Sequence, residues 1–118
     1  FLTTRRQGGF YLYVLRPGAP FRSGDVSRQA GTSRLCFANE DALYDHLRVR
    51  PGAVTPLGLI FDAGDGVTLL MDRALRDEAR LIFHPCVNTA SVAMSTRDFL
   101  EVFLPAVHKT PVFIEVDA

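Results

Sequence analysis

The 118-residue sequence has no tryptophan, only two cysteines, and a single lysine, Lys109, against twelve arginines. Two cysteines, Cys36 and Cys86, are too few to staple a small domain, so the fold must rest on a packed core and a reducing cytoplasm is its expected home. No run approaches the ~20 apolar residues of a membrane-spanning helix. No basic start followed by an apolar stretch marks a secretion signal. Thirteen acidic and thirteen basic groups cancel, so net charge does not single out nucleic acid as a partner. Missing too are a phosphate-binding loop, a dinucleotide-binding glycine fingerprint, a paired zinc-ligand motif and a Gly-x-Ser-x-Gly elbow. The common cofactor and nucleophile classes therefore fall away.

What is present suits one compact domain spanning residues 1–118. Hydrophobic residues make up 47% of the chain, nine of them Phe, which is ample for a core and argues against disorder. Charge is unevenly placed. Residues 1–50 hold eight Arg against Asp25, Glu40, Asp41 and Asp45, while residues 51–118 hold five basic and nine acidic groups. Two solvated faces account for this, or a basic side that meets phosphate.

Alternating and branched residues predict strands at Phe10–Leu15, Arg34–Ala38, Leu57–Phe61, Val67–Met71, Leu81–Phe83, Thr89–Met94 and Val112–Val116. The third and fourth read as a hairpin across Asp62–Gly66. Short helices are expected over Asp25–Ala30, stopped by Gly31, and after Asn39, with Leu43 and Leu47 on one face. One or two helical turns fit residues 73–79. Ser95 caps a further helix carrying Phe99, Val102, Phe103 and Ala106, with Asp98 answering it. The pattern is a mixed α/β domain, one open sheet with helices packed on it. Cys36, inside Leu35-Cys36-Phe37-Ala38, reads as a small core residue. His46 is expected to face water, and His108 to lie near a helix C-terminus, where a cation is favoured.

Two segments carry candidate chemistry. Pro51-Gly52-Ala53-Val54-Thr55-Pro56-Leu57-Gly58 combines two prolines and two glycines around small apolar residues. Such a loop can present bare backbone groups to a ligand, or it can simply connect a helix to a strand. Phe83-His84-Pro85-Cys86-Val87-Asn88-Thr89 ends a strand in a histidine held by a following proline. That is a usual place for a site, and equally for a histidine satisfied by a backbone carbonyl. A His84–Cys86 nucleophile pair lacks an orienting third residue. A metal site would need His46, His84, Cys86 and His108 from scattered segments.

In these two segments the chain resembles the YbaK/prolyl-tRNA-synthetase-associated editing family, and within it the free-standing ProX-type alanyl-tRNA(Pro) deacylases. The matching stretches are PGAVTPLGLIFD at Pro51–Asp62 and FHPCVNTASVAMS at Phe83–Ser95. FLTTRRQGGFYLYVL at the start, RLCFANEDALYDHL at Arg34–Leu47 and HKTP before the last strand support them. The resemblance implies a mixed, mostly antiparallel sheet surrounded by helices. It implies an aminoacyl ester on tRNA as substrate, no metal or organic cofactor, and association with prolyl-tRNA synthetase. It assigns the catalytic positions to Gly52, Thr55, Pro56 and His84. It assigns amino-acid binding to Ala53, Val54, Leu57, Gly58, Asn88 and Thr89. The family's Lys, placed just before the strand that here begins at Phe1-Leu2, is not matched, since Lys109 is the first Lys. That Lys, with a further N-terminal segment, is expected upstream of Phe1. A member that binds without hydrolysing, or one that clears cysteine from proline tRNA, are the competing expectations.

Overall fold

The computed structural model describes residues 1–4, 9–16, 19–50, 53–62, 66–83 and 89–116. A five-stranded sheet runs in the order β3-β1-β2-β4-β7, formed by Leu2–Thr4 (β1), Phe10–Val14 (β2), Leu35–Phe37 (β3), Val67–Asp72 (β4) and Val112–Ile114 (β7). Arg80–Phe83 (β5) and Val92–Ser95 (β6) form a second, two-stranded sheet. The pairs β1–β2, β1–β3 and β5–β6 are antiparallel, whereas β2–β4 and β4–β7 are parallel. The domain is thus mixed α/β and mostly antiparallel, as the sequence suggests, but its strands divide between two sheets rather than one.

Alternation along the two central strands sorts the side chains. Phe10, Leu12 and Val14 of β2, with Val67, Leu69 and Met71 of β4, join the larger core beneath Leu43 and Leu47 of helix α2 (Glu40–Leu47). Tyr11 and Tyr13, with Leu70, face the smaller core around Val26 of helix α1 (Ser23–Ala30). Both helices end as their sequences require. Gly31 caps α1 in the left-handed region (φ 72), and the Asn39 side chain accepts the Ala42 N–H at the start of α2. The Ser95 hydroxyl accepts the Asp98 N–H and starts the last helical run. That run is α-helical over Thr96–Asp98, widens to a π turn over Phe99–Phe103 and closes as α over Leu104–Ala106. Pro105 offers no N–H to the residue four earlier, which is the local reason for the wide turn.

Four expectations are corrected. Leu57–Phe61 is not a strand and forms no hairpin with Val67–Met71. Pro56–Phe61 is a 3₁₀ helix, and β4 pairs instead with β2 and β7. Pro56 opens this helix at a position where its missing N–H costs nothing, the Thr55 hydroxyl accepts the Leu57 N–H at 3.2 Å, and the turn packs on α2. A Cβ on Gly58 would lie 2.8 Å from the Leu47 carbonyl oxygen, so only glycine permits that approach. Cys36 is exposed, because β3 is an edge strand that buries Leu35 and turns its remaining residues outward. The strand expected at Thr89–Met94 starts at Val92, leaving Thr89 in a turn. His46 is half-buried rather than solvated. Its ring lies 4.5 Å from that of Phe10, and its Nδ1 is 3.8 Å from Asp62.

Candidate functional site

β1 pairs with β2 only as far as Tyr11. Beyond it, along Leu12–Leu15, β2 borders a cleft of about 400 Å³. The opposite walls are Val54, Thr55 and Pro56, together with Ile82, Phe83 and Ser91. The described part of the Pro/Gly-rich loop therefore faces the end of β5, where Phe83 leads into His84. A second hollow of about 380 Å³ adjoins it across Val14, Leu15, Ile82 and Phe83, and is flanked by Arg16, Glu78 and Arg80.

Hydrogen bonding around the loop is uneven. The Ala53 N–H donates to the Arg50 carbonyl at 3.0 Å, and the Gly58 N–H donates to the Thr55 carbonyl at 3.1 Å. The Thr55 hydroxyl is committed to Leu57. Among the described residues the N–H groups of Val54 and Thr55 have no acceptor, although Thr55 is only 1% exposed. Buried backbone donors are nearly always paired, so two consecutive free N–H groups beside a cleft are donors available to a bound oxygen.

Of the positions assigned from the sequence, Val54, Thr55 and Pro56 line the cleft and Ala53 is buried behind them. Leu57 packs into the larger core and Gly58 against α2, so these two shape the loop rather than the cleft wall. Thr89 is exposed and outside the lining, where Ser91 stands instead. Gly52, His84 and Asn88 lie outside the described residues. The wall formed by Leu12–Leu15 escaped sequence reasoning, because FYLYVL carries no signal beyond that of a strand. Tyr13 contributes to that wall, while its ring packs on the other face against Phe21 at 6.0 Å. Burial, helped by nearby Asp72, pushes its phenol pKa up to about 12, so the hydroxyl stays protonated.

The single lysine is far from a free cation. Lys109 Nζ donates to Asp62 Oδ2 and to the Val67 carbonyl, both at 2.6 Å, and the Val67 N–H returns to Asp62 Oδ2 at 3.0 Å. This buried clamp ties the segment before β7 to the end of the 3₁₀ helix. Among the described residues no three His, Cys, Asp or Glu side chains gather as a metal site.

With this geometry in hand, the family model "aminoacyl-tRNA editing domain" matches residues 1–102. The chain is similar to prolyl-tRNA synthetase associated domain-containing protein 1 of Danio rerio, with 36% identity over 91% of this chain. It spans only 59% of that relative's length. It is also similar to the prolyl-tRNA editing protein ProX of Acetoanaerobium sticklandii, with 28% identity over 86% of this chain and 62% of the relative. In three dimensions it superposes on the crystal structure of the hypothetical protein APE2540 with a TM-score of 0.72. That match covers 98% of this chain and 69% of the other at 18% identity, a likeness of fold.

Proposed function

Because the chain belongs to the aminoacyl-tRNA editing domain family, we propose that it is a trans-editing deacylase that hydrolyses alanine wrongly attached to proline tRNA. The observation that carries this reading is that Val54 and Thr55, which line the cleft, have N–H groups without an acceptor among the described residues.

An aminoacyl ester is already reactive, so the site has no need of a strong nucleophile. Water attacks the ester carbonyl, and the carbonyl oxygen gathers negative charge. The two N–H groups are fixed by the Ala53 turn on one side and the 3₁₀ helix on the other, so they stabilise that oxyanion without reorganising. The bond to the ribose oxygen then breaks, and the proton released by water passes to that oxygen. A neighbouring ribose hydroxyl of the substrate can relay it. The products are free alanine and uncharged tRNA. Neither metal nor organic cofactor enters.

Selectivity rests on size. A synthetase site built for proline discriminates poorly against a smaller amino acid, and a second site that admits only the smaller one corrects the error. Leu12, Val54 and Phe83 give the cleft stiff apolar walls, and about 400 Å³ is near the lower end for small-molecule sites. By the family resemblance His84 is assigned as a pocket wall or polar anchor, and Asn88 to amino-acid binding. Work in the cytoplasm alongside prolyl-tRNA synthetase belongs to the same proposal, in keeping with the relatives' name.

The test is release of amino acid from Ala-tRNA(Pro), Cys-tRNA(Pro) and Pro-tRNA(Pro) by the full-length protein. Rapid loss of alanine with proline spared is expected. Preferential loss of cysteine would reassign the substrate. Release of neither above the uncatalysed rate would leave a binding module.

A further inference from the structure

At the foot of the cleft loop, two guanidinium groups share one aromatic ring. Arg50 lies 4.2 Å and Arg48 lies 5.6 Å from the centre of the Tyr44 ring. Tyr44 is 38% exposed and both arginines are exposed. Three exposed arginines are neutralised, Arg28 by Asp25, Arg73 by Glu115 and Arg97 by Glu101, whereas Arg22, Arg34, Arg76 and Arg80 have no ion pair among the described residues. Of all these exposed arginines only Arg48 and Arg50 share one aromatic ring. Among the described residues Arg48 and Arg50 meet no carboxylate, and even Asp45, three residues before Arg48, makes no ion pair with it.

A second observation concerns the backbone. Arg48 caps α2 in the left-handed region, φ 57, a conformation that glycine adopts freely and arginine at a cost. At the equivalent end of α1 the chain uses Gly31. An arginine kept where glycine would be the more stable choice points to a role for its side chain. Position supplies the third link. The Arg50 carbonyl holds the Ala53 N–H at 3.0 Å, so Arg50 is tied directly to the start of the segment whose Val54, Thr55 and Pro56 line the cleft. Four residues of chain place its Cα within ~14 Å of Val54.

We propose that Tyr44, Arg48 and Arg50 form a shelf that binds the phosphodiester backbone of the RNA strand whose 3′ end enters the cleft. Planar guanidinium groups suit bidentate phosphate contacts, and stacking on Tyr44 pre-orients both while leaving their N–H edges outward. This rests on the reading that the substrate is an aminoacyl ester of RNA.

The probe is an uncharged RNA hairpin with the single-stranded 3′ tail of a tRNA acceptor stem, its binding to the full-length protein followed across a salt series. Arg48→Gln and Arg50→Gln should each weaken binding about two- to fivefold, the worth of an exposed ionic contact. Each should also lower the slope of log affinity against log salt by about 1. Arg76→Gln, which removes the guanidinium stacked on Phe113 elsewhere on the surface, should change neither. Arg48→Gly should weaken RNA binding like Arg48→Gln yet raise the melting temperature by roughly 2–5 °C, an opposition that a merely structural arginine would not produce. Hydrolysis of a small aminoacyl ester without the stem should be unchanged in all these variants. Wild-type protein that fails to bind the hairpin, or a double variant with unaltered affinity and slope, overturns the proposal. Binding lost in the double variant of a protein that hydrolyses no ester would sustain the shelf while removing the deacylase reading.

Discussion

The two ends of the 3₁₀ helix Pro56–Phe61 are built on opposite terms. At its far end side chains and backbone are tied together: Asp62 accepts from Lys109 and from the Val67 N–H, and Lys109 also reaches the Val67 carbonyl. At its near end, where Val54 and Thr55 line the cleft, their N–H groups have no acceptor among the described residues. One end anchors and the other is available. A donor pair can be held rigid only if something else fixes the segment that carries it, and here the clamp and the tight seat of Gly58 on α2 do so. The difference teaches that the lysine belongs to the scaffold, and in the deacylation proposed here the oxyanion is met by backbone.

Breaking the anchored end should give the largest effect on stability. Lys109→Met leaves the buried Asp62 carboxylate without its lysine, with only the Val67 N–H and the His46 ring beside it. Losing one partner of a buried ion pair costs about 3–5 kcal/mol, and thermal melting will show it. The fraction that stays folded should still turn over ester. Gly58→Ala comes next, since a Cβ 2.8 Å from the Leu47 carbonyl must push α2 and the loop apart. Overpacking of this kind costs about 1–3 kcal/mol, and because it moves the donors it should also lower activity. Thr55→Val keeps the shape but removes the hydroxyl that accepts the Leu57 N–H, a loss of about 1 kcal/mol. Its effect on turnover should stay small if backbone rather than hydroxyl is the working group, and a collapse of turnover would assign the chemistry to the hydroxyl.

The smallest effect belongs to the opposite face of the sheet. The buried Tyr13 hydroxyl has no hydrogen-bond partner among the described residues, and burial with nearby Asp72 raises its pKa from 10.0 to about 12. The folded state holds that proton more tightly than the unfolded state. The resulting stability is therefore fully present below pH 10 and lost as pH rises towards 12. Tyr13→Phe should be nearly neutral at pH 7 and should flatten the alkaline loss seen in melts between those pH values.

Local signals were readable and distant pairings were not. Asn39, Gly31 and Ser95 declare their caps because each acts on residues two to four away. Leu57–Phe61 reads as a strand because its side chains are apolar and branched. Pro56 and Gly58 carry the contrary signal, and it is decided by contact with Leu47, a tertiary fact. The parallel pairing of Phe10–Val14 with Val67–Met71 joins segments nearly sixty residues apart, so the wall at Leu12–Leu15 has no local trace. Cys36 looked like core because burial of a short strand depends on whether it is an edge. The loop at 53–56 stood out in the sequence for its mix of proline, glycine and small residues, which fits a site or a connection alike, and Val54, Thr55 and Pro56 line the cleft.

The most direct measurement replaces one backbone N–H by an ester oxygen, at Thr55 and separately at Val54, in protein assembled by semisynthesis. Side chains, charge and cleft shape are retained, and only the donor is lost. If these N–H groups stabilise the oxyanion, each replacement should lower kcat for Ala-tRNA(Pro) by roughly 10²–10³ while KM and the melting temperature change little. Unchanged kcat in both proteins would contradict the account and leave the loop as a connection between a helix and a 3₁₀ turn.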